Sequence, residues 1–183
     1  MSGDSSFLLK KLNMRRCYHK MTYNAQMSIG KEKRKEMFLG VRDIPYVMGS
    51  SGRPDVMMRT KRGNCASKDL KLGLDLMKGG ISKLMIGSVN FNWKDVPIPP
   101  SIISILPDAR DVHSCLLVDG EIVDPAWDLG LAKFGLPVLS WDGVHSTGMG
   151  VKYLGVVSEY SIAQVLATVY VGAYLDIFRR MAR

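Results

Sequence analysis

Cysteine is scarce in this 183-residue chain, which has three: Cys17, Cys65 and Cys115. So low and odd a number excludes a secreted disulfide framework, and a chain of this length can bury a core without staples. A cytoplasmic, reducing compartment is the expected setting. Long hydrophobic runs are also missing. The nearest approach, residues 162–178, is interrupted by Gln164, Thr168 and Asp176, whereas a membrane span needs about 20 predominantly apolar residues. Near the start, Phe7, Leu8 and Leu9 give way at once to Lys10, Lys11, Arg15 and Arg16. No secretory leader and no membrane span are therefore expected. With 46% hydrophobic and 23% charged residues, collagenous and wholly disordered chains are excluded. There is no internal repeat.

Charge is what the sequence distributes unevenly. The net charge is +8, and 14 of the 25 basic residues lie at or before Arg62, against five of the 17 acids. That third could face an acidic protein partner or nucleic acid. No RNA-binding signature, zinc-finger spacing or Gly-Arg repeat accompanies it. Lys31-Glu32-Lys33-Arg34-Lys35-Glu36 also reads as the solvated face of a helix, supported by its own acids.

Periodicity then orders the chain. Residues 5–39 read as helix in two pieces, broken near Ser28-Ile29-Gly30, and residues 40–60 as irregular around Pro45, Gly49, Gly52 and Pro54. Asn64 caps a helix whose apolar stripe is Leu70, Leu74 and Met77, stopped by Gly79-Gly80. Residues 81–93 alternate like a strand. Pro97, Pro99, Pro100 and Pro107 mark a surface loop. Strand-like runs at 112–118 and 121–123 flank Asp119-Gly120, a two-residue hairpin signature. Residues 151–157 supply a further strand. Ile162, Val165, Leu166 and Val169 begin a closing helix whose apolar face either completes the core or pairs with a second subunit. The fold class is α+β, with the helix that follows Asn64 packed on an antiparallel sheet.

Cys65 sits in the first turn of that helix, where unpaired N–H groups and the helix dipole favour a thiolate. Lys68, one turn on, is expected to add a positive charge nearby, and Gly63 to let the backbone turn sharply into the helix. A nucleophile there also has its own N–H available for a developing oxyanion. With Asp119-Gly120 as the turn, residue 118 pairs with 121, so His113 and Asp124 share a face as diagonal neighbours. A carboxylate so placed can orient the imidazole and stabilise its protonated form. A nucleophile, a base and an orienting acid thus arise on three successive elements.

Arg62-Gly63-Asn64-Cys65, Gly80-Ile81 leading into a strand, Val112-His113 and Val123-Asp124-Pro125 together resemble the transglutaminase-like branch of the papain-like cysteine enzymes. The resemblance covers about residues 55–130. It implies a papain-like core in residues 56–183; the basic, largely helical segment read from charge and periodicity, 1–55, precedes it within one compact domain overall. It also implies Cys65 as nucleophile, His113 as general base and Asp124 as orienting carboxylate. The implied chemistry is attack on an amide or ester of a peptide or protein, through a thioester, with protease-like hydrolysis preferred over acyl transfer. It requires no cofactor. Some relatives use calcium, but no acidic ligand loop is present here. Ser114-Cys115 depart from the small and aromatic residues that often follow the family's His. Candidates to complete the oxyanion hole are Tyr46, Asn64 and Gln26.

Other readings stand beside this one. The chain could be a non-catalytic binding module using its basic third, or an arylamine-type acetyltransferase using coenzyme A. Cys65, Cys115 and His113 could hold zinc, although the paired close spacings of structural zinc are absent. Cys17 and Cys115 read as small buried hydrophobes, and His19 and His145 as solvated. Trp127 and Trp141 could be core or pocket wall.

Overall fold

Asp119 and Gly120 both adopt left-handed backbone, at φ 52° and 89°, which is what a two-residue primed turn requires. The turn joins β2 (Arg110–Val118) to β3 (Glu121–Val123). It sets the expected register, with Val118 opposite Glu121 and Leu116 opposite Val123. β1 (Leu84–Asn92) runs antiparallel along the other side of β2, and β4 (Tyr153–Ser161) runs antiparallel to β1. The sheet order is β3-β2-β1-β4. This computed structural model describes residues 28–96, 100, 104 and 110–181.

Helices pack on the sheet, giving the mixed α+β architecture expected. They are α1 (Lys31–Arg42), α2 (Pro54–Thr60), α3 (Cys65–Lys78) and α4 (Ile162–Met181). At the start of α3, the Asn64 side chain accepts from Ser67 N and the Ser67 hydroxyl accepts from Asn64 N, both at 3.0 Å. This reciprocal box satisfies two of the donors that a helix start leaves orphaned. At its far end, Gly80 N donates to Met77 O and Ile81 N to Leu76 O, both at 3.0 Å, a Schellman closure. Ile81 is thereby taken into the helix end, and β1 begins at Leu84 instead of residue 81.

The core lies between α3 and the sheet. Phe38 and Val41 of α1 join Leu70, Leu72 and Leu76 of α3, Ile86 of β1 and Leu116 of β2. Ile162, Val165, Leu166 and Val169 pack there too, so this part of α4 closes the core. The buried face of α3 is wider than the expected stripe and differs from it: Met77 is 47% exposed. With α1 on one flank and the sheet on another, the helix buries more than one row of residues. Trp141 is a core residue, its ring 6.1 Å from Phe38.

Two further expectations need correcting. Residues 54–60, read as irregular, form α2; Pro54 opens it, and a fixed φ suits a first helical position. β4 runs from 153 to 161 instead of 151 to 157, with register shifts where it meets Ser88 and Val89. Of the basic residues in the first third, Arg34 and Arg42 are internal ties. Arg34 Nε donates to Ile29 O at 3.2 Å, and buried Arg42 Nη1 donates to Leu139 O at 2.9 Å. Lys31, Lys33 and Lys35 are exposed, and Lys33 pairs with Glu36 at 2.8 Å, as a solvated helix face would. The helix expected over 5–27, with Cys17, His19 and Gln26, lies outside the described residues, as does most of the loop around Pro97 to Pro107. Among the described residues, no helix is long and apolar enough to cross a membrane.

Candidate active site

β3 stops pairing at Leu116, which leaves the edge of β2 open alongside His113 and Ser114. The first turn of α3 brings the Cys65 sulfur to both of these residues. Gly63 is needed before it for room and not for a special turn: its backbone is not left-handed, and a Cβ would meet Met57 Sδ at 2.5 Å. The segment ahead is laced to Gly63. Val47 N donates to Gly63 O at 2.8 Å and Gly63 N to Pro45 O at 3.1 Å, and this bridge sets Tyr46 beside Cys65.

His113 is 6% exposed and Asp124 fully buried. His113 Nε2 lies 2.9 Å from Asp124 Oδ2, so Nδ1 is the nitrogen left to face the sulfur. Asp124 is itself held by several groups. The Trp127 indole N–H donates to Oδ2 at 2.6 Å, Ala126 N donates to Oδ1 at 3.0 Å, and Asp124 N donates to Thr147 Oγ1 at 3.0 Å. The imidazole is walled by aromatics, with Trp127 5.9 Å away and Phe91 6.4 Å away between ring centres. The three residues expected to form a triad therefore come together in the expected order.

Charge follows from these contacts. Burial opposes ionisation of Cys65, but the hydrogen bond and charge of His113, with hydrogen bonds from the Ser114 side chain and backbone, outweigh it and bring the thiol down to about 7. Burial likewise opposes a charged His113, yet Asp124 and Cys65 push it well above the ordinary imidazole value. The pair is thus poised as thiolate and imidazolium. Burial and the neighbouring Cys65 push the Tyr46 hydroxyl far up, so it stays a proton donor at the sulfur. Burial pushes the Cys115 thiol up as well, and that side chain is a fully enclosed core group, as expected.

Lys68 does not add charge beside Cys65. Its side chain is fully buried and turned away: Nζ donates to Arg42 O at 2.9 Å and to Ala126 O at 3.4 Å, and lies 3.5 Å from Asp128 Oδ2. Burial lowers its ammonium, against the pull of Asp128. Asp128 also accepts from Tyr46 N at 2.5 Å and Gly130 N at 2.6 Å. Lys68 and Asp128 therefore tie the turn after Asp124 to the Tyr46 segment.

Of the three oxyanion candidates, Asn64 is committed elsewhere, its amide donating to Ser50 O at 2.7 Å while its oxygen caps α3. Gln26 lies outside the described residues. Tyr46 is in place. The contacts of three further residues at the site are not expected from the sequence. Trp127 has a signal in hindsight, an indole three residues after the Asp of an Asp-Pro. Asp69 and Ser114 do not, since their meeting joins α3 to β2: Ser114 Oγ lies 2.6 Å from Asp69 Oδ2. His145 is exposed and paired with Asp142 at 2.7 Å, in keeping with a solvated residue. Among the described residues, no group of three His, Cys, Asp or Glu side chains is arranged to hold a metal ion.

A cavity of about 340 Å³ opens beside this site, walled by Tyr46, Phe91, Trp93, His113, Trp127 and Leu136 among others. Trp127 is accordingly pocket wall as well as a partner of Asp124. Comparison of the chain with protein-family models, with curated proteins and with solved structures finds no match.

Proposed function

We propose that this protein is a cysteine-nucleophile hydrolase of the transglutaminase-like type, cleaving an amide or ester bond next to an apolar group. The observation that carries this reading is the chain of contacts from the half-buried Cys65 sulfur to His113 and on to buried Asp124. Cys65 thiolate attacks the carbonyl carbon, and the C=O electron pair moves onto oxygen. The Cys65 N–H and the Tyr46 hydroxyl are the donors at hand for that oxyanion. As the intermediate collapses, His113 gives its proton to the departing amine or alcohol, leaving a thioester on Cys65. Neutral His113 then takes a proton from water, whose oxygen attacks the thioester and releases the acid. Asp124 holds the ring and its positive charge throughout. An amine in place of water would make the same site an acyltransferase.

Reactivity of the thiol tests the reading. With Cys65 near 7, about a tenth of it is thiolate at pH 6, against well under one percent for an unperturbed cysteine near 8.5. A less basic thiolate is a weaker nucleophile, so the expected net advantage is about five- to ten-fold. Iodoacetamide at pH 6, followed by peptide mass mapping, should label Cys65 ahead of Cys17 and leave Cys115 unlabelled. His113→Ala should erase the lead. A Cys65 that stays silent at pH 6 yet reacts at pH 9 would refute the enzyme reading.

The cavity makes a second expectation. Transfer of a phenylalanine-sized side chain from water into an apolar wall is worth about 1.5–3 kcal/mol, or roughly ten- to one-hundred-fold in second-order rate. An acetyl-phenylalanyl chloromethyl ketone should inactivate Cys65 faster than its glycyl counterpart by that ratio. Equal rates would remove the cavity from substrate binding.

A further inference from the structure

Asp69 is a fully buried acid that the chemistry above leaves unused. It follows Cys65 by one helical turn on α3. One of its oxygens, Oδ2, lies 2.6 Å from Ser114 Oγ, and the other, Oδ1, has no hydrogen-bond partner among the described residues. Ser114 in turn reaches the Cys65 sulfur with both its side chain and its backbone. It follows His113 directly in β2, beyond the residues that pair with β3, and its side chain meets α3 at Asp69.

We propose that Ser114 is a further catalytic residue, donating its hydroxyl hydrogen to the Cys65 thiolate, and that protonated Asp69 is the positioning residue that donates to Ser114 Oγ and so aims that hydrogen. The proposal rests on the cysteine-hydrolase reading of the same site. Its logic is a count of hydrogens. A serine hydroxyl carries one. Were Asp69 a carboxylate, it would take that hydrogen for itself at 2.6 Å, and Ser114 would meet the thiolate with lone pairs only. A protonated Asp69 reverses the direction of the contact and frees the serine hydrogen for sulfur. The partnerless Oδ1 agrees, because a neutral carboxyl oxygen tolerates enclosure without a donor far better than a charged one.

The charged groups around Asp69 favour the same form. Burial acts first, then the negative Asp124 and Cys65, to push it well above the usual carboxylate range. Ser114 and His113 pull the other way and do not prevail. Lys68, its chain neighbour, is turned toward Asp128. Cys115 on β2, also influenced by Asp69, is a buried neutral thiol. Cys65 itself is faced by His113 and Ser114 from β2, Tyr46 from the 45–47 segment and Asp69 from its own helix.

The test is the pH midpoint of Cys65 alkylation by iodoacetamide in the full chain, read by peptide mapping. Loss of one hydrogen bond to a charged sulfur corresponds to about one pH unit. Ser114→Ala should raise the midpoint by that much, and Ser114→Thr, which keeps the hydroxyl, should hold it near the wild-type value. Asp69→Asn is the decisive variant. Its amide N–H donates to Ser114 Oγ as the protonated acid does, so the midpoint should stay within about 0.3 unit. A fall of one unit or more in Asp69→Asn would mean that a negative charge had been removed, and would overturn the protonated role. An unchanged midpoint in Ser114→Ala would overturn the serine's role. In both cases a wild-type midpoint near 7 leaves the cysteine-hydrolase reading standing, whereas a wild-type midpoint near the ordinary value of about 8.5 sinks that reading itself.

Discussion

Cys65→Ala is expected to abolish hydrolysis of an acetyl-phenylalanine ester, by about ten thousand-fold or more, in a protein that still folds. Without sulfur there is no thioester, and the oxyanion donors alone cannot supply a nucleophile. The fold should survive because alanine is favourable in a helical first turn and Cys65 is only half-buried. The loss in stability should be no more than about 1 kcal/mol. Cys115→Ala is the contrast: it removes a fully enclosed sulfur from the core at a larger cost in stability but should retain activity. Cys17→Ala should also retain activity. Initial rates beside thermal melts separate these outcomes. Equal loss of activity in all three variants would point to a metal site or to packing, and would sink the nucleophile assignment.

Asp124→Asn should reduce the rate by about one hundred- to ten thousand-fold, the upper end being the effect of the same change in the serine-protease triad. The removed charge is what lifts His113 despite its burial. The reactive ion pair exists between the Cys65 value of about 7 and the raised His113 value. With asparagine the upper edge of that window moves down, so the alkaline limb of the pH–rate profile should shift to lower pH. Stability should fall too. Oδ2 accepts from Trp127 and His113 while Oδ1 accepts from Ala126 N, and an amide has only one acceptor oxygen. Either orientation sets an NH₂ against a buried donor, at a cost of about 1–3 kcal/mol. A wild-type rate in this variant would remove Asp124 from the mechanism. A chain that no longer folds would make it a structural residue of the Asp124-Pro125 turn.

Much of this site is legible from local rules acting on the sequence. Asp119-Gly120 favours a tight primed turn, and such a turn sets the register; continued one residue past the paired strand, that register puts Asp124 diagonal to His113, because side chains alternate along a strand. Asn64 and Ser67 cap each other over three residues, which places Cys65 at a helix start. The α+β class and the closing helix follow from periodicity in the same way. Each of these depends on residues near one another in the chain.

The tertiary structure decided everything that depends on which face of an element meets which neighbour. Helical spacing puts Lys68 one turn from Cys65, yet its ammonium goes inward, because buried carbonyls of Arg42 and Ala126 and the Asp128 carboxylate await it there. Asn64 has the chemistry to reach an oxyanion, but Ser50 O takes its amide. Tyr46 reaches the sulfur through a backbone bridge to Gly63, and the Asp69–Ser114 contact spans 45 residues. A short-range pattern fixes backbone geometry and the periodicity of side chains, but a side chain's partner is chosen by the packing of elements far apart in sequence. The hydrogen bonds that poise Cys65 are of that second kind.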